Sequence, residues 1–224
     1  EILVWITMIL TTRVLKPLQL KKHPYTVQQI IPEVPEVWTL VLKPVGHAGM
    51  SFKAGQVAWL TINTSPFTLH RNPFSFAGNA LVQDELRFTI KALGDFTSSI
   101  GNLKGGETAY VDGPYGNFSL DDEQTKKGLV MLAGGIGIAP ILSILRTLAA
   151  QADKRPLYLF YGSLNEENII AYEDIEKLKK ELNLTVVHVL EKPEKKIPCE
   201  SGYITQAILE RYLPADKSDL YFFQ

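Results

Sequence analysis

The chain has 224 residues, 46% of them apolar, with 23 Lys and Arg against 24 Asp and Glu. That balance argues against nucleic acid as the main partner, and the length suffices for one or two domains with cores of their own. A single cysteine, Cys199, excludes an internal disulfide, and His23, His47, His70 and His188 are scattered without metal-ligand spacing or a cysteine cluster beside them.

The chain opens on Glu1, not Met. Residues Ile2 to Leu10 are almost wholly apolar, and Arg13, Lys16, Lys21 and Lys22 follow. About 20 apolar residues are needed to cross a bilayer, so this run alone falls short. It reads as a short buried helix, or as the last turns of a transmembrane helix that starts upstream, with the basic cluster on the cytoplasmic side. The second reading is preferred, with residues 1–22 as helix end and basic juxtamembrane linker. A signal peptide fits less well, because there the basic residues come before the apolar run.

From Tyr25 to Gly116 the chain shows short apolar runs between turn residues: "YTVQQIIP", "VWTLVLKP", "QVAWLTI", "NPFSFAG", "LRFTIKAL" and "TAYVDGPYG". Leu86, Phe88 and Ile90 alternate with Arg87, Thr89 and Lys91, the pattern of a strand with one buried face. Strands of this length and spacing predict an antiparallel barrel or sandwich. After "SLDDEQTKKG" the pattern changes. "LVMLAGG", "PLYLFYGS", "LTVVHVLE" and "DLYFFQ" read as strands, and "APILSILRTLAAQ", "AYEDIEKLKKEL" and "ITQAILERYL" as helices. Continuous apolar strands alternating with helices predict a parallel sheet covered on both faces. The expected domains are 23–123 and 124–224.

The turn after "LVMLAGG" carries the clearest chemistry. A helix N-terminus offers unpaired N–H groups and the positive end of the helix dipole, so it suits an anion. Gly134, Gly135 and Gly137 let backbone approach a pyrophosphate, and Pro140 suits a first helical turn. The turn "GGIGIAP" is not the G-x-G-x-x-G fingerprint. A tight strand-to-helix turn without a ligand would present the same glycines.

The order of motifs narrows the choice. A barrel followed by an α/β domain that begins G-G-x-G-x-x-P resembles the ferredoxin–NADP reductase superfamily. "FKAGQVAWL" resembles its P-G-Q hairpin, with Ala54 in place of proline; "NPFSFAG" its flavin-binding strand; "IKALGDFTSSI" its second flavin-phosphate segment; and "VDGPYGNF" the turn that closes the barrel. Within the superfamily, "NPFSF" and "LGDFT" resemble the dehydrogenase module of transmembrane ferric reductases and NADPH oxidases. That resemblance implies a six-stranded FAD-binding barrel and an NAD(P)-binding domain. It implies FAD contacts at Asn72, Pro73, Phe74, Ser75 and Phe76, with Phe74 and Ser75 at the reacting ring. Lys91, Gly94, Asp95, Phe96, Thr97 and Ser98 would hold the flavin phosphates, Thr97 and Ser98 as helix caps. Gly134, Gly135, Gly137, Ile138, Pro140, Tyr161, Gly162 and Ser163 would hold NADPH or NADH. Asn72 stands where the family often has His, and Arg71 is displaced from the family pattern, either reaching a phosphate or solvated.

The loop "GSLNEEN" leaves the choice between NADPH and NADH open, because Leu164 replaces an expected Arg while Glu166 and Glu167 follow. Thr205 in "GYIT" reads as a helix cap. The family's C-G-P segment is expected beyond the strand that starts at Asp219. The implied function is hydride transfer from NAD(P)H to FAD on the cytoplasmic side, then single electrons to haems in a transmembrane part outside this chain, and on to ferric iron or dioxygen. A soluble NAD(P)H–flavin or ferredoxin reductase, an electron-transfer subunit of a larger complex, and a nucleotide-sensing module remain the alternatives.

Overall fold

The computed structural model describes residues 1–119, 127–194 and 196–223, so the expected boundary between residues 123 and 124 lies outside the described residues. Helix α1 spans Ile2–Lys22 and includes a π-helical turn at Thr11–Leu15. The basic segment expected as a linker is therefore helical. None of Ile2–Leu10 is buried, whereas Pro17 is, and Lys16 Nζ pairs with Asp112 Oδ1 at 2.9 Å. The helix thus meets the rest of the chain through its last turns. Its hydroxyls turn inward: Thr7, Thr11 and Thr12 donate to the carbonyls of Leu3, Thr7 and Met8 at 2.8, 2.8 and 2.7 Å.

The first domain is built from β1 (Tyr25–Val34), β2 (Val37–Pro44), β3 (Val57–Ile62), β4 (Asn72–Ser75), β5 (Leu86–Lys91) and β6 (Thr108–Tyr115). They form one antiparallel sheet in the order β4-β3-β6-β1-β2-β5. Just past β4, the Ala77 N–H donates to Arg87 O of β5 at 2.8 Å, which brings the two edges together and closes the barrel. Leu40, Leu42, Leu60, Phe76, Leu86 and Phe88 fill it.

The alternation in β5 predicts an exposed Thr89, yet it is buried. Thr89 faces Thr39 of β2, and their hydroxyls lie 2.9 Å apart, with Thr39 also donating to Glu33 at 2.6 Å. The reason is the neighbour. Val37, on the same face of β2 as Thr39, shares a core cluster with Ile138 and Ile141 of the second domain. A strand face that water would cover in an isolated barrel is covered here by protein.

The second domain contains β7 (Gly128–Gly134), α3 (Ile138–Ala150), β8 (Leu157–Ser163), α4 (Tyr172–Glu181), β9 (Leu184–Leu190), β10 (Glu200–Ser201), α5 (Gln206–Tyr212) and β11 (Leu220–Phe223). A helix of five residues, α2 (Asp95–Ser99), belongs to the barrel domain. The sheet is parallel in the order β10-β9-β8-β7-β11. Leu129 and Met131 face a cluster with α3 and α4, while Val130 faces one with Ile208 of α5. Both faces are buried, which is why these strands read as unbroken apolar runs. Thr205 caps α5, its hydroxyl accepting the Ile208 N–H at 3.3 Å, as expected from the sequence.

Three residues keep buried side-chain polar atoms without a hydrogen-bond partner among the described residues: Ser163, Asn165 and His188. His188 of β9 is 6% exposed, neither ring nitrogen has a hydrogen-bond partner, and its ring packs beside Tyr161 and Tyr172. Burial, with Lys179 acting in the same direction and Glu176 opposing, lowers its pKa below the ordinary value. The unfolded chain therefore binds this proton more readily than the folded one. Stability is expected to fall as pH drops below about 6.5, by at most about 1.4 kcal/mol per pH unit, levelling off below the folded pKa. His188→Phe should flatten that part of the denaturation profile. An unchanged slope between pH 7 and pH 5 would refute the assignment.

Candidate functional site: a dinucleotide cleft beside an aromatic strand

The carboxyl ends of β7, β8 and β9 open into a cleft of about 660 Å³, lined among others by Gly134, Gly135, Gly162, Ser163, Glu191 and Tyr203. Ligands of open parallel sheets sit at this end, where helix N-termini and loops converge. Gly134 is extended, Gly135 has φ +48°, and Gly135–Gly137 form one 3-10 turn before α3 starts at Ile138. A Cβ added at Gly134, Gly135 or Gly137 would meet no protein atom within 4 Å. The glycines are thus not required by packing; they keep open space beside the 3-10 turn that leads into α3. Pro140 stands at the third helical position, where no intrahelical N–H is lost.

Two of the expected contacts lie behind the turn instead of in the cleft. Ile138 is fully buried in the core, so only its backbone can contribute. Tyr161 is fully buried too; its hydroxyl donates to Gly135 O at 3.1 Å and accepts the Ile170 N–H at 3.2 Å. Burial pushes the phenol up to about 12, so it stays a neutral brace for the glycine turn.

The acids of "GSLNEEN" are engaged elsewhere. The Glu166 carboxylate accepts the N–H groups of Glu194, at 2.9 Å, and of Lys196, at 3.2 Å, while Glu167 pairs with Lys196 at 3.5 Å. They pin the segment after β9. The acid in the cleft is Glu191, directly after β9, its N–H held by Ser163 O at 3.1 Å. The Glu191 carboxylate beside the Tyr203 hydroxyl raises the phenol pKa. Tyr203 remains 70% exposed, a flat ring at the mouth of the cleft.

The glycine turn lies against β5 of the barrel. On the barrel, β4 pairs with β3 so that Phe74 stands opposite Ala58 and Pro73 opposite Trp59. Phe74 and Ser75 are half-buried, and the Phe74 ring lies 6.0 Å from that of Phe96 with an interplanar angle of 22°. Lys91 is exposed at the end of β5. Gly94, not Thr97 or Ser98, caps α2; Thr97 sits at the third helical position and its hydroxyl accepts the N–H groups of Leu93 and Gly94 at 2.8 and 3.0 Å. That corrects the capping roles expected of Thr97 and Ser98. Phe76 is corrected as well. It is fully buried and stacks on Phe52 at 4.1 Å, so it belongs to the barrel core. Arg71 is neither solvated nor aimed outward: it pairs with Asp112 at 2.7 Å and donates to Pro66 O at 2.9 Å.

A flavin dinucleotide needs a flat apolar wall, a small polar group at the ring edge and donors for its phosphates. Half-exposed Pro73–Phe74–Ser75, the cation Lys91 and the first N–H groups of α2 fit that need, and Gly94 leaves open space in front of them.

Residues 131–223 match the family described as the oxidoreductase NAD-binding domain. The reductase component of propane 2-monooxygenase from Mycolicibacterium smegmatis is 29% identical over 204 residues, which are 87% of this chain and 58% of that protein. The chain shares its fold with ferredoxin–NADP reductase-like proteins, among them a ferredoxin NADP+ reductase from Neisseria gonorrhoeae, which superposes with TM-score 0.74 at 20% identity, covering 89% of this chain and 82% of that one. The chain spans a little over half the length of the curated relatives it matches. Two further solved structures share that fold. A cytochrome P450 reductase from Amycolatopsis superposes with TM-score 0.75 at 21% identity, covering 89% of this chain and 60% of that one. The cytochrome b5 reductase domain of Ulva prolifera nitrate reductase gives TM-score 0.74 at 17% identity, covering 90% and 86%.

The glycine turn singled out by its motif lines the cleft, but Glu191, Gly202 and Tyr203 escape the motif reading. The usable signal is local: Glu191 follows the apolar run "LTVVHVL" directly, so it is an acid at the carboxyl end of a parallel strand.

Proposed function

We propose that this chain is the flavin- and nucleotide-binding part of an NADH-dependent oxidoreductase that hands electrons to a separate redox partner, as the reductase components among its relatives do by name. The observation that carries this reading is the cleft at the ends of β7–β9, in which open glycines and a helix N-terminus face Glu191 and Tyr203. FAD supplies the chemistry when bound, accepting a hydride from nicotinamide C4 at its N5 and releasing the two electrons one at a time. The chain's residues bind and orient. The turn Gly134–Gly137, the start of the helical segment, takes the pyrophosphate of the nucleotide. Glu191 accepts hydrogen bonds from the adenosine ribose hydroxyls, and Tyr203 lies against the adenine. Pro73 and Phe74 form the wall against the flavin ring, Ser75 lies at its edge, and Lys91 with the start of α2 holds its phosphates.

The test is anaerobic. The full chain is loaded with FAD, NADH or NADPH is added in separate runs, and the flavin's visible absorbance is followed. Bleaching, faster with NADH, is expected. Bound FAD that neither nucleotide bleaches would overturn the reading and leave a sensing role.

A second reading keeps the dehydrogenase module of a membrane flavocytochrome, which would pass electrons to haems outside this chain and on to ferric iron or dioxygen. Helix α1 favours it: Ile2–Lys22 is long and apolar enough to cross a membrane, none of Ile2–Leu10 is buried, and its hydroxyls are bonded to its own backbone. The basic residues then lie on the cytoplasmic side with the two domains. In vesicle flotation, the intact chain is expected to rise with the lipid and Ile6→Lys/Ile9→Lys to stay behind, since each buried Lys costs about 3 kcal/mol at a bilayer centre. A chain that stays in solution with vesicles present would remove this reading.

A further inference from the structure

One face of α3 carries three polar groups that reach across to the barrel domain. Ser143, Arg146 and Thr147 stand at i, i+3 and i+4, so they share that face. Ser143 is fully buried and its hydroxyl donates to Gly78 O at 2.7 Å. Thr147 is 4% exposed; its hydroxyl accepts the Ala80 N–H at 3.0 Å and donates to Ser143 O at 2.7 Å. The Arg146 guanidinium donates to Ala77 O and is held in turn by Asp174 of α4 at 2.8 Å. The segment Ala77–Ala80 is the direct continuation of β4, the strand that carries Phe74 and Ser75. The same helix begins at the glycine turn.

We infer that Ser143, Arg146 and Thr147 form an interdomain clamp that sets the distance between flavin and nicotinamide. The inference rests on the proposed function for its consequence, but not for its geometry. Apolar side chains could fill the same interface without a desolvation cost, yet they would let the two domains slide. Hydrogen bonds to three backbone groups of one short segment fix a register. They also have a direction, and Asp174 removes the remaining freedom of Arg146. The clamp therefore ties the strand at the flavin to the helix at the dinucleotide through one rigid element. Hydride transfer is steep in distance: a 1 Å misplacement can cost about a hundredfold in rate. These are positioning residues, and none of them is among the residues that line the cleft.

The test uses the full chain with Thr147→Val, Ser143→Ala, Arg146→Ala and Arg146→Lys, and three readouts. The first needs no cofactor. Exchange of the Ala80 amide should accelerate about tenfold in Thr147→Val, because the hydroxyl that accepts it is gone. The second is binding: FAD and NADH dissociation constants should stay within about twofold in all variants. The third is the limiting rate of flavin reduction at saturating NADH, which should fall about tenfold or more in Thr147→Val and Arg146→Ala, with Arg146→Lys recovering part of it. Ser143→Ala, the smallest change, should lie between. Reduction at the parent rate despite faster exchange would overturn the positioning role and leave only interface stability. Unchanged exchange at Ala80 would overturn the clamp itself. A parent chain that NADH cannot reduce would instead overturn the proposed function, and with it the clamp's role in hydride transfer, while the exchange result would still decide whether the clamp exists.

Discussion

Glu191→Gln is expected to lower kcat/KM for NADH roughly tenfold to a hundredfold while raising the value for NADPH, so that the preference narrows or reverses. The magnitude follows from the interaction removed. A carboxylate that accepts hydrogen bonds from ribose hydroxyls makes charge-assisted bonds worth about 1.5–3 kcal/mol, and each 1.36 kcal/mol is about tenfold in rate. The same carboxylate opposes a 2′-phosphate, since two anions in a partly enclosed cleft repel. Glutamine keeps the size and removes the charge, so loss for NADH and gain for NADPH should come together. Glu191→Arg should move the balance further, because a guanidinium can bind a phosphate bidentately. The measurement is flavin reduction with each nucleotide over a range of concentrations. An equal fall for both would mean that Glu191 shapes the cleft without reading the ribose, and no change for either would put the adenosine elsewhere.

That prediction depends on a residue that motif order does not reveal. The motifs were legible where chemistry constrains backbone. Gly134, Gly135 and Gly137 are recognisable because a turn fit to take a pyrophosphate excludes side chains, and the structure leaves their Cβ positions empty. The side chains proposed to read the adenosine were illegible for a different reason. Selectivity lives in loops after parallel strands, where an acid can point into the cleft or fold back on its own loop. Glu166 and Glu191 have the same chemistry and similar places after a strand, yet Glu166 pins residues 194 and 196 while Glu191 faces the cleft. Only the folded loop separates them. Phe76 fails in the mirror sense. A strand puts successive side chains on opposite faces, and past the end of β4 the register that would face Phe76 outward gives way to the barrel interior, where Phe52 waits.

The architecture itself was more legible than the contacts between its halves. Short alternating runs give the antiparallel barrel, and continuous apolar runs with helices between them give the parallel sheet, because those periodicities are fixed by which faces are buried. What periodicity cannot carry is a face buried by another domain. Thr39 and Thr89 look solvent-exposed by alternation, and their burial follows from docking between domains more than a hundred residues apart in sequence in the case of Val37 and Ile141. The same holds for Ser143, Arg146 and Thr147. On a helix taken alone they read as a polar stripe facing water. In the fold they meet the backbone of Ala77–Ala80, which gives them a partner that no local pattern announces.

Gly135→Val should abolish measurable NADH binding in the range where the parent chain saturates, a loss of about a hundredfold or more, while FAD affinity is retained. Two separate costs act at this position. Gly135 has φ +48°, and a β-branched residue there is strained; the left-handed region costs an ordinary L residue about 1–2 kcal/mol. That part appears as stability, and for a chain of this size it lowers Tm by about 2–4 °C per kcal/mol. The second cost appears only with the nucleotide. Valine's side chain would enter the open space in front of α3, where the protein itself places nothing within 4 Å, so the fold has no reason to collapse around it. The pyrophosphate would lose both its room and its approach to the N–H groups. Gly135→Asn separates the two, because asparagine tolerates the left-handed region yet still carries a side chain. If the cleft holds the dinucleotide, the asparagine variant should restore much of the Tm and little of the binding. If binding returns with the Tm, the effect of valine was strain in the turn, and the pyrophosphate lies somewhere other than on these glycines.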